Sequence, residues 1–159
     1  MNPGLVLYEE EFRKISGICD RLTRDASAKV VFLVDKNGQL IAASGQAQHL
    51  DTTSLASLTA GNVAAMGGLA KLIGEREFPS QFHEGERESL HMSIVGGRVV
   101  LVVIFDAKSS LGLVRLRVKK AGEELARIFD SLAHKQAMPG AQSPFAEITD
   151  DDIDNLFSE

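Results

Sequence analysis

Seven consecutive apolar residues, Val99-Val-Leu-Val-Val-Ile-Phe105, constrain the fold more than any other stretch of the chain. A strand with one face in water would alternate apolar and polar residues. An unbroken run reads instead as a central strand covered on both faces. The strand that holds this run spans Arg98 to Asp106, and Gly96-Gly97 before it is a two-residue turn, leading back to a strand over about Ser89 to Val95. A shorter strand around Gln81 to His83, with a turn at Glu84-Gly85-Glu86, completes a three-stranded meander.

The rest of the chain supplies two more strands and the helices that cover the sheet. Tyr8, Phe12, Ile15, Cys19 and Leu22 recur at spacings of three and four, the apolar stripe of an amphipathic helix ending near Asp25. Lys29 to Asp35 is short and β-branched, and Asn37-Gly38 after it is a hairpin signal with a returning strand from Gln39 to Gly45. Asp51-Thr-Thr-Ser54 offers capping oxygens for a second helix running to about Gly74. Val114, Leu116 and Val118 alternate like a strand. However, Leu111, Val114, Val118, Ala121, Leu125, Ile128 and Leu132 continue one helical stripe, so the longer pattern predicts a single helix over about 110–135. The predicted fold is α/β (α+β), ordered α-β-β-α-β-β-β-α, with a five-stranded, mainly antiparallel sheet.

Residues 1–136 make the domain, and 137–159 a flexible linker with an acidic amphipathic segment. Ala137 to Pro144 is linker-like in composition. Thr149 can cap a short helix whose first turn holds Asp150, Asp151 and Asp152, where the helix dipole favours negative charge. About two turns of helix are marginal alone in water. The segment is therefore expected to be disordered until a surface receives Ile153, Leu156 and Phe157.

The net charge of −5 conceals an asymmetry. Six acids and no base lie from Gly140 onward; without those six, 16 of the 22 acids remain against 17 bases. A nearly neutral body lacks the concentrated basic face that nucleic-acid binding requires. With no Trp and one Tyr there is no stacking platform for bases. The single cysteine, no segment of membrane-spanning length, and acidic Glu9-Glu10-Glu11 near the start predict a cytoplasmic protein without membrane insertion.

Chemistry-bearing motifs are missing. There is no P-loop and no strand-following Gly-x-Gly-x-x-Gly. His49, His83, His91 and His134 are scattered; His83 and His91 could meet across adjacent strands, but satisfied or exposed strand histidines are the better reading. Cys19 on an apolar stripe reads as an inert buried thiol. The Asp-rich segment lacks the Gly and spaced oxygens of a calcium loop. No catalytic, cofactor-binding or metal-binding residues are expected, and the chain is not expected to be an enzyme.

The second helix carries the unusual composition. Leu55, Leu58, Ala65, Met66, Leu69, Leu72 and Ile73 form a broad apolar face, expected to lie on the sheet. The opposite face is small rather than charged: Ser57, Ala60, Ala64, Gly67 and Gly68, with Lys71 at its end. Each Gly inside a helix costs about 1 kcal/mol relative to Ala, so Gly61, Gly67 and Gly68 need a reason. Close approach of a second copy or of a partner protein supplies one; a helix covered on both sides within one domain is the bland alternative. Asn62, among large apolar residues, reads first as a buried, hydrogen-bonded side chain.

Residues 51–71, the strand 99–106 and Ser110 to Lys120 together resemble the Roadblock/dynein-light-chain family, and the resemblance extends over the whole chain, including 143–148 and 150–157. Within that family the sequence is most similar to bacterial polarity regulators. The resemblance implies a homodimer formed by pairing of the second strand of each copy, with both second helices side by side on one face. It implies a partner, a Ras-like small GTPase of the MglA type, whose GTP hydrolysis is accelerated while the GTPase supplies its own catalytic residues. It also implies a role in front–rear polarity and motility, enrichment at a cell pole, and a C-terminal segment that modulates partner contact or nucleotide exchange. The partner-binding residues that follow are Ser57, Ala60, Ala64, Gly67, Gly68 and Lys71 on the helix, with Ile153, Leu156 and Phe157 in the acidic segment. Arg76, Arg87 and Arg98 lie near turns, and none is assigned as an arginine finger. A scaffold or adaptor subunit without effect on hydrolysis is the alternative, separated by GTP turnover with and without the protein. A ligand sensor would need a polar pocket that the sequence does not show.

Overall fold

The computed structural model describes residues 7–137. Helix α1 (Glu9–Asp25) precedes the hairpin β1 (Val30–Asp35) and β2 (Leu40–Gly45); α2 (Thr52–Leu72) leads to β3 (Ser80–His83), β4 (Ser89–Val95), β5 (Val99–Phe105) and α3 (Leu111–Ala137). The strand order is β2-β1-β5-β4-β3, and every pairing is antiparallel. Strand β5 is central and buried along its whole length, as the apolar run predicts. Its side chains alternate between two cores. Val99, Leu101, Val103 and Phe105 face α1 and α3, packing with Ile15, Cys19, Leu125 and Phe129. Val100, Val102 and Ile104 face the other way, with Phe32, Ala56, Val63 and Met92 under α2.

Both hairpin signals are used, but differently. At Gly96-Gly97 both residues take positive φ, and Arg98 N–H closes the turn on Val95 O at 3.2 Å, the two-residue turn that suits strand twist. At Asn37-Gly38 only Gly38 has positive φ (92°). Gly38 N–H bonds Asp35 O at 2.9 Å, and the β1–β2 register shifts between Leu33 and Val34. The hairpin is therefore a longer loop with a bulge rather than a two-residue turn.

The stripe of α3 settles the ambiguous segment as helix: Val114, Val118, Ala121, Leu125 and Leu132 are buried, and Ser110 Oγ accepts from Leu113 N–H at 3.2 Å. On α1, Ile15, Cys19 and Leu22 are buried, whereas Phe12 stays 43% exposed. Among the described residues no helix is long and apolar enough to cross a membrane.

His83 and His91 do not meet. The register sets Phe82 opposite His91 and His83 opposite Leu90, so the two rings leave opposite faces of the sheet. His91 is 4% exposed and its Nδ1 has no protein partner among the described residues. Burial, followed by the charge of Arg115 on α3, lowers its pKa. The unfolded chain therefore takes up this proton more readily than the native one. The contribution of the neutral ring to stability is full at neutral pH and is lost as pH falls below the ordinary histidine value of about 6.5. Melting temperature should drop between neutral and mildly acidic buffers, and His91→Leu should flatten that part of the profile. An unchanged profile in the variant would assign the pH dependence elsewhere.

Candidate partner-docking face on the second helix

Asp51 caps α2, its carboxylate accepting from Ser54 N–H at 3.1 Å and Ser54 Oγ–H at 2.6 Å. These bonds to Ser54, side chain first, hold its pKa below the usual carboxylate value. From Thr52 to Ala70 the sequence contains no charged residue. No face of that stretch carries a charge to hold it in water; its polar groups are hydroxyls and the single amide of Asn62.

The structure reverses the expected orientation of the large residues. The buried positions are Ala56, Thr59, Val63 and Ala70, with Leu55, Ala60, Asn62, Met66 and Gly67 half-buried. Leu58, Leu69, Leu72 and Ile73, expected on the sheet, are 71%, 46%, 86% and 64% exposed. The physical reason lies in the strand surface below. Phe32, Val34, Val100 and Val102 already project bulk from β1 and β5, so the contacting helix face must be small for the backbones to approach. The sheet is met by Ala56, Thr59, Val63 and Ala70, while most of the small flank singled out in the sequence stays on the outside.

The predicted partner-binding positions divide accordingly. Ser57, Ala64, Gly68 and Lys71 are exposed along one flank of the helix; Ala60 and Gly67 turn partly inward. A Cβ at Gly38 would lie 3.5 Å from Ser57 Cα and 3.7 Å from Ala60 Cβ, so the β1–β2 loop abuts this end of α2. A Cβ at Gly61, Gly67 or Gly68 would meet nothing within 4 Å. These glycines leave notches open to the outside. Ile153, Leu156 and Phe157 lie outside the described residues. The exposed ridge of Leu58, Leu69 and Leu72 was missed as a surface. Its signal was the lack of charge all round the helix, since two apolar stripes cannot both face one sheet.

Asn62 Oδ1 is enclosed without a hydrogen bond from any described residue, contrary to its expected satisfied role. Cys19 is fully buried, and burial, with a smaller push from Asp20, raises its thiol pKa to about 12. It is inert at neutral pH. Arg76, Arg87 and Arg98 are exposed. Lys36 N–H reaches Arg98 O, and the Lys36 ammonium pairs with Glu77 at 2.8 Å. Arg76 and Arg98 thus share the end of the sheet beside the α2 termination, while Arg87 lies in the β3–β4 turn at the other end.

An antiparallel five-stranded sheet with one helix on one face and two on the other, ordered β2-β1-β5-β4-β3, defines a Roadblock-type domain. The chain belongs to the Roadblock/LC7 family, whose domain profile matches residues 14–105. It is similar to Myxococcus xanthus MglB, with 76% identity over 80% of this chain and 96% of that one, and a TM-score of 0.77. A solved MglB with a tetrameric arrangement is 34% identical over 83% of this chain and 99% of its own (TM-score 0.78). The gliding protein MglB of Thermus thermophilus is 35% identical over 82% and 99% (TM-score 0.76).

Proposed function

We propose that this protein is a homodimeric regulator that binds an MglA-type Ras-like GTPase and stimulates its GTP hydrolysis without donating an arginine finger. In this reading it acts in cell polarity and motility, is not itself an enzyme, and uses its acidic C-terminal segment to modulate partner contact or exchange. The observation that carries the proposal is the stretch of α2 from Thr52 to Ala70 without a charge, with Leu58, Leu69 and, just beyond it, Leu72 exposed beside the small flank of Ser57, Ala64 and Gly68. Similarity to MglB proteins, one of them in a tetrameric arrangement, supports self-association.

Two copies that bury the leucine ridges against each other would join their small flanks into one platform. A partner can approach that platform closely because Gly68 and Ala64 project so little. Acceleration then comes from favouring one conformation of the GTPase switch region.

GTP turnover by an MglA-type GTPase tests the reading. The parent protein should raise the rate, and Gly68→Arg should abolish the stimulation by blocking the flank, with melting unchanged. Alanine at Arg76, Arg87 or Arg98 should leave it intact. Normal stimulation by Gly68→Arg would move the docking surface elsewhere; loss with one Arg→Ala variant would overturn the reading without a finger. Binding without any stimulation by the parent would favour an adaptor.

A further inference from the structure

Helices α1 and α3 run antiparallel, tied at one end by Lys135 to Glu11 at 3.0 Å and midway by the Arg21–Glu124 ion pair. Their outer surfaces form a shallow groove, wide open to solvent, of about 540 Å³. Lys14, Arg21, Arg24 and Arg127 line it against one acid, Glu124. Ile18 and Ile128 supply its apolar part, and a Cβ on the exposed Gly17 would meet nothing within 4 Å, so no side chain at that position covers them. Lys14 pairs with Glu10 at 3.5 Å and Arg21 with Glu124, whereas among the described residues Arg24 and Arg127 enter no ion pair and supply the excess charge. In a body whose bases and acids nearly cancel, this is a local concentration of positive charge.

The sequence contains a matching occupant. Residues 147–159 carry Glu147, Asp150, Asp151, Asp152, Asp154 and Glu159, no base, and the apolar Ile153, Leu156 and Phe157. The reach is sufficient. Arg127 precedes the end of α3 at Ala137 by ten residues, about 15 Å of helix. Residues 138–146 can span up to about 30 Å when extended. The chain leaves α3 at the end of the groove where Lys135 meets Glu11, so turning back brings it along the basic lining.

We propose that the acidic segment 147–159 folds back in cis onto the α1–α3 groove, its carboxylates meeting Lys14, Arg24 and Arg127 and its apolar residues covering Ile18 and Ile128. This surface lies on the opposite side of the sheet from α2. The segment and the α2 face are then separately controlled, and whatever engages the segment must first draw it out of the groove.

The chain has no Trp, so Phe157→Trp provides a single fluorophore in the full-length protein, with no GTPase present. At low salt its emission should be shifted to shorter wavelength and shielded from a soluble quencher. Raising salt from about 0.1 M to about 1 M shortens the screening length from about 10 Å to about 3 Å and should reverse much of the shift. Adding Arg24→Glu and Arg127→Glu should abolish it while far-ultraviolet circular dichroism stays unchanged. Solvent-exposed emission at low salt, or a shift that survives charge reversal, would overturn the proposal. Charge-reversed Trp chains mixed with an excess of Trp-free parent chains should remain exposed; recovery of the shift would mean docking in trans and would overturn the cis assignment. The salt titration of the single variant decides the matter even if the charge-reversed protein misfolds. None of these readouts depends on GTP hydrolysis, so failure here leaves the proposed function standing.

Discussion

A chain carrying Leu58→Glu together with Leu72→Glu is expected to fold like the parent and to sediment as a monomer. In the isolated protomer these side chains are 71% and 86% exposed, so glutamate there meets water and disturbs no core contact. In a dimer built on α2 they would be buried. Removing one leucine side chain from water contributes about 1.5–3 kcal/mol, and the substitutions remove four such contributions across two copies. Association must first overcome an estimated 4–15 kcal/mol of lost translational and rotational freedom, so the loss is comparable to the whole driving force. Like charges facing each other across the former seam add to it. The dissociation constant should rise by at least about 10³-fold, at 1.4 kcal/mol per factor of ten. Sedimentation across a concentration series reads the assembly, and a melt confirms the fold. A variant that stays dimeric at the parent's concentration would show that the copies hold together without the α2 ridge, with pairing along the β2 edge the next surface to test.

The same leucines show where a one-dimensional reading stops. The central strand was legible because a continuous apolar run has few alternatives: both faces of β5 must be dry. Helix α3 was legible because its stripe persists long enough to outweigh the strand-like alternation of Val114, Leu116 and Val118. The hairpin at Asn37-Gly38 was legible in place but not in register, because a bulge between Leu33 and Val34 depends on how β1 pairs with β2. Helix α2 was legible as a helix and not in orientation. Burying the larger stripe is the correct rule when the other stripe is polar, but here neither is. What decided the outcome was the shape of the sheet beneath: Phe32 and the β5 valines already fill the layer and admit Ala56, Thr59, Val63 and Ala70. Of the predicted docking residues on α2, Ser57, Ala64, Gly68 and Lys71 are exposed, while Ala60 and Gly67 are half-buried.

Because that layer rests on bulky sheet residues beneath small helix residues, Phe32→Ala should be among the most destabilising single substitutions in the domain. Phe32 is 2% exposed on β1, paired with Ala43 on one side and Val102 on the other. Truncating a buried phenylalanine typically costs about 3–5 kcal/mol, through lost transfer energy plus the cavity left behind. Here the upper part of that range applies, since α2 contributes only Ala56 and Val63 as buried members of this core, and neither is long enough to swing into the space. Collapse would require α2 to move bodily, and the Gly38 loop against Ser57 and Ala60 opposes that. For a domain whose total stability falls within the usual range of about 5–15 kcal/mol, this is a large fraction. Urea unfolding measures the cost. Hydrogen exchange should show protection lost first in α2, while α1 and α3, packed on the other core around Phe129, retain theirs. Phe12→Ala, at a side chain 43% exposed, serves as the control and should cost far less. Equal costs for the two variants would contradict the two-core packing, because the penalty would then follow residue type rather than the layer that α2 closes.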